Sequence, residues 1–289
     1  GGAMLMHRRQ GGTVRDEALI TDLYQLTMAQ AYWQEDMTAP AVFDLFCRHL
    51  PEQRSYLVAC GLEDALDYLE ELHFSDGELA YLDSLGRFTP GFLDYLSGLR
   101  FTGTVRAMPE GTVAFANEPL LEVEAPLPEA QLVETFLLNQ VHYQTLVASK
   151  AARVVGAARG RAVVDFGLRR YHGVDAGLKA ARAAHVAGVG ATSNVQAGHR
   201  YGIPVSGTMA HSYVLAHDDE RAAFRAFARL YPDTVLLVDT YDTLEGVEEV
   251  IRLARDLGSD FHVRAIRIDS GDLGTVAAAA RKRLYEAGL

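Results

Sequence analysis

The sequence predicts an α/β protein whose second half is an open β/α barrel. From about residue 160 onward, short apolar strands alternate with helices, and the strands end in polar residues. Successive strand ends lie roughly thirty residues apart, which is the length of a β/α unit. No GxGxxG fingerprint follows any of these strands, so a barrel is favoured over a dinucleotide-binding sheet. In either fold the active site lies at the carboxyl ends of the strands.

Composition limits the class of protein. The chain has 289 residues, of which 49% are hydrophobic and 22% charged, and its net charge is −11. This acidic balance argues against non-specific nucleic-acid binding, which needs a basic footprint. Two cysteines, Cys47 and Cys60, suggest neither a disulfide framework nor a CxxC metal site. No apolar run approaches the ~20 residues of a membrane span. We therefore expect a cytoplasmic protein without nucleic-acid or membrane partners.

The first elements along the chain are of mixed type. Helical spacing predicts a helix from Asp22, and alternation predicts a strand over Pro40–Arg48. Residues 61–72 and 77–98 read as amphipathic helical segments. Glycine and proline separate short alternating runs over 101–125, which predicts a small β-rich unit. Together these elements form a predicted N-terminal α+β domain.

Two residues of this domain are candidates for ligand contact. Tyr24 lies near the start of the first helix, and Arg48 ends the first strand, where it can reach an anion. The alternatives are a packing aromatic for Tyr24 and a surface ion pair for Arg48.

A long helix links the two halves. Prolines close the β-rich unit, and helical spacing then continues over 129–158. We place the domain boundary here, with an N-terminal domain over 1–130 and the barrel domain over 131–289.

The barrel half is more regular. The predicted strands are Ala162–Phe166, a short strand from Pro204 that breaks at Gly207, Val235–Asp239 and Val263–Asp269, and Gly188–Asn194 is a further strand or a tight turn. The predicted helices are Leu178–Ala187, Glu220–Leu230, Glu245–Leu257 and one further helix after Asp272. Polar residues at the strand ends should converge at one rim: Asp165, Ser193, His211, Asp239 and Asp269. For any one acid the alternative is a helix N-cap.

The predicted rim of strand ends includes residues that can take part in catalysis. Thr208 and His211 follow the break at Gly207, and a histidine there can act as base, nucleophile or ligand. Asp239 can orient His211 and stabilise its charged form.

Groups that recognise anions and sugars lie on the same strand ends. The guanidinium groups of Arg169 and Arg267 suit carboxylate and phosphate, and Phe166 can stack on a flat ring. Asp269 or Asp272 can hold sugar hydroxyls or Mg²⁺. A planar anion together with a sugar phosphate is the ligand class that fits these residues.

Eight segments in chain order together resemble the nicotinate phosphoribosyltransferase family. They are Asp22–Met28, Pro109–Thr112, Asn117–Leu120, Asp165–Arg170, Gly190–Asn194, Gly207–Ser212, Asp239–Asp242 and Arg267–Asp272. The resemblance implies the irregular β/α barrel of type II phosphoribosyltransferases. Members of the family continue past Leu289, so it also implies that this barrel is incomplete and lacks its late strands and the loops that bind the 5′-phosphate.

The resemblance also implies an activity. Such enzymes join nicotinate to phosphoribosyl pyrophosphate, giving nicotinate mononucleotide and pyrophosphate in NAD biosynthesis. Mg²⁺ is the expected metal, and ATP is a co-substrate whose hydrolysis is coupled through a phosphohistidine. A homodimer with shared active sites is expected.

Individual positions match the roles of the family. His211 matches the phosphorylated histidine and Asp239 its acidic partner. Phe166 matches the residue that stacks on the pyridine ring, with Tyr24 of the second subunit on the other face.

The remaining matches concern charge. Arg267 matches the arginine beside the pyridine, and Arg169 lies near it. Asp269 matches a ribose-binding acid, and Arg48 matches a phosphate contact made across the dimer. Thr208 completes the set of substrate-binding residues.

The choice of base depends on one position. Nicotinamide-using relatives carry an aspartate where this chain has Ser193. An aspartate would accept a hydrogen bond from the amide NH₂ of nicotinamide and would repel the carboxylate of nicotinate. The neutral Ser193 therefore favours nicotinate. A nicotinamide-using enzyme and a catalytically silent fragment that only dimerises or binds ligand remain the alternatives.

Overall fold

The computed structural model describes residues 17–289, so the start of the predicted domain 1–130 lies outside it. Contacts along the chain define two units, of which the first ends at Val205 and the second is Ser206–Leu289. The domain boundary after residue 130 stays a prediction.

The first unit contains both helices and strands. Its helices are α1 (Leu23–Gln34), α2 (Leu62–Glu71), α3 (Asp76–Ser84), α4 (Pro90–Gly98), α5 (Leu127–Leu132), α6 (Glu134–Ala158), α7 (Val174–Val186) and α8 (Val195–Tyr201). Its strands are β1 (Pro40–Phe46), β2 (Leu57–Val58), β3 (Thr104–Ala107), β4 (Val113–Ala114), β5 (Pro119–Pro126), β6 (Val164–Asp165) and β7 (Ala191–Thr192).

Strand β5 is the centre of an antiparallel sheet with the order β1-β5-β3. Its side chains alternate, so Leu121, Val123 and Ala125 are buried in the core of the unit. A second antiparallel pair joins β2 and β4. The predicted β-rich unit is therefore present, and β1 extends its sheet.

Two predicted helices are each divided in the structure. The segment 77–98 forms α3 and α4, because Gly86 adopts a positive φ of 63° and Thr89 then caps α4 at the Phe92 amide, with Pro90 at the first helical position. The stretch 129–158 likewise forms α5 and α6, which meet at Val133.

Parallel pairing begins at the end of the first unit. Strands β6 and β7 pair in parallel, with Val164 opposite Ala191 and Asp165 opposite Thr192, and Thr192 forms a further parallel bridge to Val205. The predicted strand from Pro204 is thus reduced to a single bridge, and α8 was not predicted.

The second unit continues the β/α alternation. Its elements are α9 (His211–Leu215), α10 (Glu220–Leu230), β8 (Val235–Leu237), α11 (Thr243–Leu257), β9 (Ala265–Arg267) and α12 (Leu273–Glu286). Strands β8 and β9 pair in parallel, and the core contains Phe224, Leu236 and Leu253. Asp219, Asp242 and Asp272 cap the three long helices. Over residues 17–289, none of the helices is long and apolar enough to cross a membrane.

Candidate active site

The imidazole of His211 is held at the carboxyl ends of β8 and β9. His211 begins α9, and its Nδ1 lies 3.1 Å from the hydroxyl oxygen of Thr240, which follows β8. Its Nε2 lies 3.7 Å from Oδ2 of Asp269, which follows β9. The side chains of His211 and Asp269 are 40% and 38% exposed, so a ligand in solvent can reach the ring.

Asp269 links this histidine to an arginine. The Nη2 of Arg267 donates to Oδ1 of Asp269 over 2.6 Å, while the second carboxylate oxygen faces His211. The Asp269 carboxylate therefore lies between two basic side chains, those of Arg267 and His211. The structure thus brings together three predicted site residues.

Asp239 influences the site indirectly, through hydrogen bonds to the segment that carries Asp269. Its Oδ2 accepts from the backbone amide of Asp269 over 2.9 Å and from the hydroxyl of Ser270 over 2.6 Å. The sequence predicts that Asp239 orients His211; in the structure the carboxylate 3.7 Å from the ring is that of Asp269. Asp239 therefore orients the segment that carries Asp269.

The second oxygen of Asp239 has an unusual environment. Asp239 is 8% exposed, and its Oδ1 is enclosed without a hydrogen-bond partner among the residues that the structure describes. An unsatisfied buried acceptor costs free energy, so such an atom commonly marks a position that a ligand, ion or water completes.

A further buried acid lies in the same unit. Glu220, in the first turn of α10, is 8% exposed, and its Oε1 also lacks a partner among the described residues. Burial raises its pKa to about 7, and the negative charges of Glu249, Asp239 and Asp242 act in the same direction. Perturbed acids of this kind cluster at functional sites.

The hydroxyl of Thr208 is engaged by the backbone. It donates to the carbonyl oxygen of Val235 at the start of β8. This bond ties the segment before His211 to the strand. A substrate contact by Thr208 stays a prediction.

The first unit contains a second strand-end acid with a different environment. Oδ1 of Asp165 accepts from the amide of Gly167 over 2.8 Å and from the hydroxyl of Tyr171 over 2.9 Å. Its Oδ2 accepts from the hydroxyl of Thr192 over 3.1 Å, and its carbonyl accepts from the amide of Ser193 over 2.8 Å. Asp165 therefore joins the ends of β6 and β7.

The other candidates of the first unit lie on several elements. Phe166 is half-buried directly after β6, and Arg169 is exposed on the short 3-10 turn that follows. Ser193 is half-buried directly after β7. Tyr24 is 50% exposed on α1, and Arg48 is exposed just beyond β1. Their roles in binding stay predictions.

The carboxylates near His211 provide oxygen atoms, the ligand type that Mg²⁺ prefers. Among residues 17–289 no group of three or more His, Cys, Asp or Glu side chains could hold a metal ion. Mg²⁺ usually takes only one or two protein carboxylates and completes its shell with water and substrate phosphates. The enclosed oxygen of Asp239 and the exposed carboxylate of Asp269 fit that smaller requirement.

Three hydroxyl residues in these networks were given no role from the sequence: Thr240, Ser270 and Tyr171. Thr240 and Ser270 each directly follow a strand-end aspartate, and this Asp-hydroxyl pair is a signal that could have identified them. Tyr171 lies six residues after Asp165, and no comparable local pattern marks it.

Family models match both halves of the chain. The model for the nicotinate phosphoribosyltransferase N-terminal domain matches residues 19–142, and that for the nicotinate phosphoribosyltransferase family matches residues 161–286. Phosphoribosyltransferases are therefore the class of protein to which this architecture corresponds. The chain belongs to the nicotinate phosphoribosyltransferase family.

Named relatives agree with this assignment. The chain is 60% identical over 272 residues to nicotinate phosphoribosyltransferase pncB2 of Mycobacterium tuberculosis, which covers 94% of this chain and 59% of that protein. It is 50% identical over 274 residues to nicotinate phosphoribosyltransferase of Bacillus subtilis, covering 94% of this chain and 56% of that protein. The chain thus spans somewhat over half the length of these curated relatives.

A solved structure supports the fold. The crystal structure of human nicotinic acid phosphoribosyltransferase has a TM-score of 0.84 to this chain at 34% identity, covering 93% of this chain and 65% of the human one. The predicted α/β fold class, that of type II phosphoribosyltransferases with an N-terminal domain, is confirmed.

Proposed function

We propose that this chain belongs to an enzyme that joins nicotinate and phosphoribosyl pyrophosphate to give nicotinate mononucleotide and pyrophosphate in NAD biosynthesis. ATP hydrolysis drives the reaction through phosphorylation of His211. The relatives at 60% and 50% identity support this activity by name. The observation that carries the proposal is the position of His211 between Thr240 and Asp269.

The contacts of His211 suit a phosphoryl acceptor. When Nδ1–H donates to the Thr240 hydroxyl, Nε2 carries the lone pair of the neutral, partly exposed imidazole. Nε2 then attacks the γ-phosphorus of ATP, the N–P bond forms, and the bond to the leaving ADP oxygen breaks. The positive charge that develops on the ring is stabilised by the carboxylate of Asp269.

Glycosyl transfer requires charge stabilisation at the leaving group. The pyridine nitrogen attacks the anomeric carbon as pyrophosphate departs through an oxocarbenium-like state. Mg²⁺ bound with the substrate would neutralise the departing pyrophosphate, with Asp239 and Asp269 as its protein ligands. Asp269 also suits the ribose hydroxyls, and Thr208 and Arg48 complete the proposed contacts, Arg48 across a homodimer.

The proposed base-binding residues favour an acid over an amide. Phe166 and the second subunit's Tyr24 stack on the two ring faces, while Arg169 and Arg267 offer positive charge to the nicotinate carboxylate. Ser193 carries no charge that would repel that carboxylate. Nicotinate should therefore be used far better than nicotinamide.

The first test is turnover with nicotinate, phosphoribosyl pyrophosphate, Mg²⁺ and ATP, for the wild type and for His211→Ala. We expect ATP to stimulate the wild type and not the variant. Labelled γ-phosphate should be retained on wild-type protein as an acid-labile adduct that His211→Ala lacks. The control is His217→Ala, in the same unit, whose Nδ1 bonds only the Tyr213 carbonyl.

Two outcomes would contradict the proposal. Full ATP stimulation in His211→Ala would remove the phosphohistidine from the reaction. Equal turnover of nicotinamide and nicotinate by the wild type would refute the argument from Ser193.

A further inference from the structure

The turn after β6 is anchored at a single carboxylate. Asp165 receives hydrogen bonds from the Gly167 amide, the Tyr171 hydroxyl and the Thr192 hydroxyl. These donors belong to three places: the start of the turn, its end and the neighbouring strand. Phe166 lies between Asp165 and the first donor, and Arg169 lies between Gly167 and Tyr171, so the anchored segment carries both side chains.

Close packing shows how tightly the turn is held. A Cβ added to Gly167 would lie 2.6 Å from the Tyr171 hydroxyl oxygen and 2.9 Å from Oδ1 of Asp165. The hydroxyl therefore rests almost directly against the backbone of the turn. On the far side, a Cβ on Gly177 of α7 would lie 2.7 Å from Cδ1 of Leu168.

The Tyr171 hydroxyl is a permanent donor in this arrangement. Burial raises the pKa of its phenol above the ordinary value, and the hydrogen bond to Asp165 raises it further. The Tyr171 hydroxyl therefore stays protonated at neutral pH and can donate its hydrogen bond. A hydrogen bond to a charged acceptor is stronger than one between neutral groups, so its removal should be measurable.

We propose that Tyr171 is a positioning residue for the pyridine base: its hydroxyl, acting through Asp165, fixes the turn that carries Phe166 and Arg169. The inference rests on the proposed function, which assigns base binding to those two residues. Without the hydroxyl, Oδ1 of Asp165 keeps only the Gly167 amide, and the end of the turn loses its tie to the strand. Binding sites need a supporting shell of this kind to hold their geometry.

The test compares Tyr171→Phe with Tyr143→Phe. Each variant removes one hydroxyl from the first unit and leaves the ring, but the Tyr143 hydroxyl donates to the carbonyl of Ala176 on α7. For Tyr171→Phe we expect the KM for nicotinate to rise on the order of tenfold, as the loss of one charge-assisted hydrogen bond implies. The KM for phosphoribosyl pyrophosphate and kcat should stay within about twofold, and Tyr143→Phe should resemble the wild type.

A second measurement does not depend on catalysis. Amide hydrogen exchange at Gly167 and Ser193 should speed up in Tyr171→Phe and remain unchanged in Tyr143→Phe, because both amides donate to Asp165. Unchanged exchange with an unchanged KM would overturn the proposal. Equal changes in both KM values and kcat would also overturn it, because they indicate a general structural role. A wild type that does not turn over nicotinate would reject the proposed function, and nicotinate affinity measured by calorimetry would then decide the role of Tyr171.

Discussion

The half-buried Glu110 of the first unit and the buried Glu220 of the second differ in how their carboxylates are satisfied. In the first unit, Glu110 accepts from the amides of Gly61 and Leu62 over 2.7 and 3.0 Å and pairs with Arg182 through both carboxylate oxygens. Burial alone would raise the pKa of Glu110, but Arg182 and the Gly61 amide outweigh it, so the pKa lies below its usual value. In the second unit, Glu220 has an enclosed oxygen without a described partner and a raised pKa.

The strand-end aspartates repeat the difference. Both oxygens of Asp165 accept hydrogen bonds from the chain itself, whereas one enclosed oxygen of Asp239 has no hydrogen-bond partner among residues 17–289. Glu110 and Asp165 thus hold elements of the first unit together with both carboxylate oxygens, whereas Asp239 and Glu220 of the second unit each have one enclosed oxygen to which no described residue hydrogen-bonds.

The strongest test of this contrast is Arg182→Met. Methionine keeps much of the length of the side chain but leaves the half-buried Glu110 without its cation, which should cost about 2 to 3 kcal/mol, less than for a fully buried ion pair. Urea unfolding followed by the fluorescence of Trp33, the single tryptophan, reports on the first unit because Trp33 packs against Phe92 and Tyr95.

The matched control is Arg106→Met. Arg106 pairs with two glutamates, Glu122 and Glu124, but its side chain is exposed. Its loss should therefore leave the midpoint of urea unfolding unchanged. Equal midpoints for Arg182→Met and the wild type would show that the Glu110 pair does not hold the first unit together.

Much of the fold follows from local patterns. Alternation and helical spacing place α10 at its observed bounds, Glu220–Leu230, because its apolar face and its Asp219 cap are both readable from the sequence. The strands were predicted too long. Apolar residues interspersed with charged ones predict a strand over Val263–Asp269, but pairing with β8 limits β9 to Ala265–Arg267, and pairing depends on the neighbouring strand.

The site was predictable by residue type and less so by contact. Polar residues at strand ends identified His211, Asp239 and Asp269, and the structure brings them together. Which carboxylate faces the imidazole was not predictable, because it depends on backbone direction after β9. The role of Tyr171 was not predicted for a similar reason. Its hydrogen bond to Asp165 closes a turn whose shape does not follow from the spacing of residues in the sequence.

The raised pKa of Glu220 predicts that the stability of the folded protein depends on pH, and Glu220→Gln tests this prediction. The pKa of Glu220 is about 7 in the folded protein against a usual value of 4.5, so the folded state binds more protons between these values. Stability should therefore fall as pH rises from 4.5 to above 7. Glutamine holds the neutral form, and at pH 8 the variant should be more stable by about 1 to 2 kcal/mol, allowing for solvent screening.

The measurement is urea unfolding of both proteins at pH 5 and pH 8, followed by circular dichroism. The difference between them should be small at pH 5 and appear at pH 8. Glu286→Gln, on the last turn of α12, serves as an exposed control and should track the wild type. The same offset at both pH values would mean that Glu220 does not titrate in this range.

The smallest predicted effect separates the two strand-end aspartates directly. Asp165→Asn places an amide among three donors, so one of them loses its acceptor, and we expect a loss of about 1 to 2 kcal/mol. In Asp239→Asn the oxygen can still accept from Asp269 and Ser270, while the new amide occupies the position of the unpaired oxygen. Loss of the charge also relieves repulsion with Glu220, so this variant should retain about 1 kcal/mol more stability than Asp165→Asn.

Urea unfolding at pH 7 compares the two variants with the wild type. Asp239→Asn carries a second signature, because removing its charge should lower the pKa of Glu220 and shift the pH-dependent loss of stability to lower pH. Equal destabilisation by the two variants, with no shift in that pH dependence, would show that Asp239 is as fully satisfied within the chain as Asp165. In that case the enclosed oxygen of Asp239 would not be a position for a ligand beside His211, and the contrast between Asp165 and Asp239 would not hold.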